Sequence, residues 1–137
     1  MRHRVTPTAI PVREQLRRDR AAAQTLRIVF PLVGQLRIDL VFEEPAGMPP
    51  ARQIHVLHPS ARAFFEFPCP YAACEGKFDL SGFARRSAEH IGSHVAGRLE
   101  CGGTRAKGPA TRSPCGLILA YDIAAANLMP TVLAARR

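Results

Sequence analysis

Cys69 and Cys74 form a C-x4-C pair, and Cys101 and Cys115 bracket a loop containing Gly and Arg; these are the four cysteines of the chain. Thiolates are soft ligands, and four of them complete the tetrahedral shell of a zinc ion with sulfur at about 2.3 Å from the metal. No secretory signal accompanies the cysteines. A metal site is therefore expected ahead of a disulfide framework, in a reducing, cytoplasmic setting. The first reading is one zinc ion per chain held by Cys69, Cys74, Cys101 and Cys115. Unmetallated thiols or disulfides are the bland alternative.

The run Cys-Pro-Tyr-Ala-Ala-Cys-Glu-Gly-Lys-Phe over residues 69–78, with residues 101–116 as a looser second half, resembles a zinc knuckle of the zinc-ribbon kind. That resemblance implies a structural zinc site made of four cysteines. Ribbons usually repeat a close pair, whereas thirteen residues separate Cys101 from Cys115. Gly76 comes shortly after Cys74, and Gly102 and Gly116 directly follow the other two. Glycines there let backbone N–H groups turn toward thiolate sulfur. A rival ligand set is Cys69, Cys74, His90 and His94, which resembles a zinc finger of the two-cysteine, two-histidine kind with His-x3-His on a helix. Its gap of fifteen residues between Cys74 and His90 exceeds the roughly twelve of the DNA-binding pattern, and it leaves Cys101 and Cys115 unused.

Catalytic motifs fail on inspection, so no enzyme is expected. The stretch His90-Ile91-Gly92-Ser93-His94 has Ile where a zincin requires Glu. Zinc deaminases need H-x-E and P-C-x-x-C, but His55-Val56-Leu57 lacks the Glu and Cys74 lies too far from Cys69. The stretch from Gly103 to Gly108 is no phosphate-binding loop, because no Gly-Lys-Ser/Thr follows. His55 and His58 stand three apart on an expected strand and point to opposite faces.

The elements that must position the cysteines follow from hydrophobic period. Pro11 opens a predicted helix from Val12 to about Val29, stopped by Pro31 and Gly34. Leu36, Ile38, Leu40 and Phe42 alternate with polar neighbours as in a half-buried strand. Gln53–His58 and Arg62–Phe67 read as two further strands. A second helix, capped by Asp79 or Ser81, is predicted to run to about Ala96 with Gly97 as its stop. Arg98–Cys101 and Gly116–Ala124 are strands around a loop at 102–114. The expected fold is α+β: an antiparallel sheet of about five strands with two helices packed on it, in the order α-β-β-β-α-β-β. If the last two strands form a hairpin, Cys101 and Cys115 fall at one end of the sheet. Residues 1–10 read as a flexible arm, 11–126 as a single zinc-containing domain, and 127–137 as a tail.

The totals fit this picture. A chain of 137 residues with 47% apolar content and seven Phe, two Tyr and no Trp suits one domain with an aliphatic core. No apolar run approaches membrane-spanning length, so no membrane association is expected. The net charge is +8, and seventeen of the nineteen basic residues are Arg. Residues 1–27 hold seven Arg against Glu14 and Asp19, a net +5, and residues 77–112 hold seven basic groups against three acidic ones, a net +4. Such regions are either solvated surface or a place for a polyanion. Arg13, Arg17, Arg18 and Arg20 on the first helix, with Arg105, Lys107 and Arg112 in the loop, are the candidates for nucleic-acid contact. The competing expectation is an interaction module for a protein partner.

Overall fold

The computed structural model describes residues 11–43, 51–108 and 111–128, and side chains for all of these except 106–108. The expected arm at 1–10 and most of the expected tail lie outside the described residues. Helix α1 (Val12–Ala22) is followed by one short turn of helix, α2 (Leu26–Val29). Strands β1 (Val33–Glu43), β2 (Ala51–Leu57), β3 (Glu66–Pro68) and β4 (Lys77–Asp79) come next. Helix α3 (Ser81–Glu89) leads into β5 (His94–Glu100), β6 (Thr104–Gly108), β7 (Thr111–Pro114) and β8 (Ile118–Asn127). No helix among the described residues is long and apolar enough to cross a membrane.

The molecule is α+β, with an antiparallel sheet in the order β2-β1-β8-β5. It has four strands, not about five. The expected third strand is reduced to Glu66–Pro68, which pairs with β4 in a separate ribbon, and β6 pairs with β7 in another. The period-two pattern holds where it was clearest. Leu36, Ile38, Leu40 and Phe42 of β1 are buried on one face, opposite Leu119, Tyr121 and Ile123 of β8. Helix α3 packs on β8 and β5, and Ser87, fully buried, donates its hydroxyl to the Ile123 carbonyl at 3.2 Å.

Three boundaries depart from expectation for identifiable reasons. The first helix stops at Ala22 because the chain at 24–27 is claimed by residues 59–63. Gln24 O accepts from Ala63 N–H at 2.8 Å, and the N–H groups of Leu26 and Arg27 donate to Ala61 O and Pro59 O. Those contacts also take residues 62–65 out of any long strand. Helix α3 ends at Glu89, not Ala96, since Gly92 adopts a φ of +95° that reverses the chain into β5. Gly97 serves a strand: an added Cβ would lie 2.4 Å from the Tyr121 hydroxyl, and that ring stacks on Phe83 of α3 at 4.6 Å. Neither Asp79 nor Ser81 caps α3 as expected: the N-cap position is Leu80, whose side chain has no acceptor, and Asp79 Oδ1 one residue earlier accepts from the Ser81 N–H at 2.9 Å.

Candidate metal centre

Three of the four cysteines sit next to the end of a strand, and Cys74 lies in the loop between β3 and β4. Cys69 directly follows β3, Cys101 directly follows β5, and Cys115 lies between β7 and β8. The pairing of Glu100 with Ile118 brings the end of β5 and the start of β8 together, so Cys101 and Cys115 fall at one end of the sheet. The β3–β4 ribbon brings Cys69 and Cys74 to the same end, where Phe78 of β4 meets Phe42 at the end of β1. The ribbon is tied by Phe67 opposite Phe78 and by an ion pair of 2.6 Å between Lys77 and Glu66.

The four sulfur atoms lie within 4.8 Å of one another, and all four residues are buried. Cys69 Sγ is 3.8 Å from Cys115 Sγ, and Cys74 Sγ is 3.6 Å from Cys101 Sγ. A regular tetrahedron with metal–sulfur distances of about 2.3 Å has edges of about 3.8 Å. A disulfide needs sulfurs at about 2.05 Å, and all four thiols are free. The donor set therefore fits a tetrahedral metal ion that prefers thiolate, and among the described residues it is the one cluster suited to a metal.

Two short backbone loops support the sulfurs in the same way. Gly76 N–H donates to Cys74 Sγ at 3.3 Å, and Gly103 N–H donates to Cys101 Sγ at 3.4 Å. In each loop the glycine stands two residues after its cysteine. The glycines also pack against each other. An added Cβ on Gly76 would lie 2.4 Å from Cys101 Sγ, and one on Gly103 would lie 2.6 Å from Gly76 N and 2.8 Å from Cys74 Sγ. Gly102, expected to turn its N–H toward sulfur, has open space around it; Gly103 performs that role. The rest of the frame is main chain. Cys69 N–H donates to Gly76 O, Cys101 N–H to Leu117 O, and Cys115 N–H to Gly103 O, all at 2.8–2.9 Å.

Crowding four thiols in a buried site shapes their acidity. Burial pushes the Cys69 thiol far above its usual range, with hydrogen bonding and repulsion from the neighbouring sulfurs acting the same way. Cys101 is pushed up to about 11, again mainly by burial. Burial also opposes ionisation of Cys74, but the Gly76 N–H and the surrounding thiols outweigh it and hold this thiol below its usual value. The thiols are thus unequal in acidity, with Cys74 the more readily ionised and Cys69 and Cys101 the less.

Several of the basic side chains singled out in the sequence surround this centre. Arg13 Nη2 donates to Cys69 O at 2.8 Å, fastening α1 to the first loop. Arg105 Nη2 donates to Cys115 O at 2.9 Å, and its guanidinium lies 4.0 Å from the Tyr71 ring centroid. Arg112 donates to Thr104 O at 2.7 Å and reaches Ala73 O at 3.4 Å. Arg17 and Arg18 pair with Glu14, and Arg20 lies over the Phe64 ring. The Lys107 side chain lies outside the described residues. His90 follows the end of α3 with Nδ1 3.0 Å from Arg86 O, while His94 belongs to β5 with Nδ1 2.7 Å from Asp122 Oδ1. The expected helical His-x3-His arrangement is therefore not formed. Sequence reasoning missed the part played by Arg13, Arg105 and Arg112. It also missed the repeated Cys-x-Gly of Cys74–Gly76 and Cys101–Gly103, which is visible in the sequence. The chain matches no protein-family model, no curated protein and no solved structure.

Proposed function

We propose that the protein is a small cytoplasmic zinc-binding module with a structural site of four cysteines, acting through a protein partner. The observation that carries the metal reading is the pair of sulfur–sulfur distances, 3.8 and 3.6 Å, at the edge length of a zinc–thiolate tetrahedron. Zinc is favoured over harder cations because every donor is sulfur. Four thiolates fill the shell and leave no position for an activated water, so the role is structural and not hydrolytic. A nucleic-acid role is the weaker reading, because Arg13, Arg105 and Arg112 are engaged with carbonyl groups of the site itself.

Metal analysis of protein purified without added metal is expected to give one zinc per chain. Single Cys→Ser changes at 69, 74, 101 and 115 should each lower that content, and His90→Ala and His94→Ala should leave it intact. Full zinc retention in Cys101→Ser or Cys115→Ser would overturn the all-cysteine site. For the nucleic-acid reading the decisive measurement is binding to DNA and RNA at low salt. Affinity that falls steeply with salt, and falls again in Arg17→Glu/Arg18→Glu, would restore it.

A further inference from the structure

We propose that a cavity between the end of α1, β2 and the segment 61–67 is a binding site for a small organic anion with a flat apolar body. The cavity measures about 290 Å³ and is half enclosed. Arg20 and Arg62 stand on its wall with His55, while Phe64, Phe67 and Leu57 supply apolar surface. No carboxylate lines it among the described residues.

The two guanidinium groups are held in place by the fold. Arg62 Nη1 donates to Ala23 O at 2.9 Å, and the Arg20 guanidinium lies 5.2 Å from the centroid of the Phe64 ring. The His55 ring packs on Phe67 with centroids 4.9 Å apart, and its Nε2 is 3.2 Å from Gln53 Oε1. Burial, and next the charge of Arg20, hold His55 below the usual imidazole value. Positive charge here is therefore not neutralised by the cavity's own lining. A carboxylate or phosphate meets that need, since guanidinium forks bind both with charge-assisted hydrogen bonds. The phenyl rings and Leu57 call for an apolar body, and the volume, at the lower end of ligand sites of about 300–1,000 Å³, limits it to about one ring. An aryl carboxylate or aryl phosphate has this chemistry. The site uses no cysteine and does not depend on the metal reading.

The test is a titration of the full-length protein, with its zinc content measured in the same sample, against benzoate and phenyl phosphate, followed by NMR. The expected result is saturable binding at about millimolar affinity for at least one probe, as suits about ten non-hydrogen atoms. Shift changes should centre on Arg20, His55, Phe64 and Phe67, and the tighter probe identifies the head group. Arg20→Gln, an exposed change, should weaken binding about tenfold, the loss expected for one charged hydrogen bond. Ala61→Leu, which fills the cavity, should abolish it. The proposal is overturned by no saturable binding of either probe, by shifts centred elsewhere, by unchanged affinity in Arg20→Gln, or by equal binding of benzyl alcohol. Zinc-loaded protein that fails to bind removes this site alone; zinc-free protein that binds leaves it standing and counts against the metal reading alone.

Discussion

At the scale of single residues, two glycines occupy positions that no other residue type can fill. Gly76 and Gly103 bring their backbones so close that a Cβ on either would occupy the space of a sulfur or a backbone atom of the opposite loop. Gly76→Ala and Gly103→Ala are therefore expected to weaken zinc binding by at least about tenfold and to lower the melting temperature, since real Cβ atoms do not approach heavy atoms so closely. Gly102→Ala is expected to be nearly neutral, as nothing lies within 4 Å of its Cβ position. Competition with a chelator measures all three, and an equal effect of Gly102→Ala would contradict this assignment. His55 gives a pH dependence with a definite sign. Its folded-state pKa lies below the ordinary 6.5, so the unfolded chain takes up its proton first as pH falls. The stability it contributes is present above pH 6.5 and lost as pH falls through the folded value. Denaturation midpoints should therefore fall less in His55→Gln than in the wild type as the pH is taken from about 7 to about 5.

At the scale of elements, the arginines act as ties between pieces that have little core of their own. Strands β3, β4, β6 and β7 are each three to five residues long and are held by the sulfur cluster, by Arg105 on Cys115 O and by Arg112 across to Ala73 O. Arg13→Gln and Arg105→Gln should each cost about 1–2 kcal/mol in denaturant unfolding of the zinc-loaded protein, as each strands a part-buried carbonyl that accepted a charged donor. Substitution at exposed Arg17, paired with Glu14, should cost well under that. A flat result at Arg13 would show that α1 is not fastened to the first loop.

At the scale of the whole molecule, the sheet and the sulfur cluster are separable sources of order. The β1–β8 ladder, which contains no cysteine, carries the buried Leu36, Ile38, Leu40, Leu119 and Ile123, although the four cysteines pack in the same core. Chelation is therefore expected to raise amide exchange at 69–78 and 101–117 while β1 and β8 stay protected, a local loss of structure and not a global one. Exchange rising together across β1, β8 and the loops would instead make the metal a condition of folding.

What the sequence determined by itself was whatever depends on local period or on residue type. Alternation in Leu36–Phe42 and Leu117–Ile123 is set by the two-residue repeat of a strand, and it marked both central strands and their buried faces. The α+β class followed from such patterns, and the strand ends then placed four thiols near one another. Tertiary structure decided the rest. Whether the chain after Ala22 stays helical depended on carbonyls at Pro59 and Ala61, residues remote in sequence that took its N–H groups. Gly92 and Gly97 look alike in sequence, but only the first reverses the chain, because Tyr121 of another strand fills the space above the second. Arginines that sequence could assign only to a charged surface were drawn onto carbonyls at 2.7–2.9 Å, since a backbone forced into tight loops around sulfur leaves acceptors without ladder partners. Spacing along the chain carries which atoms are available; the three-dimensional path decides which of them meet.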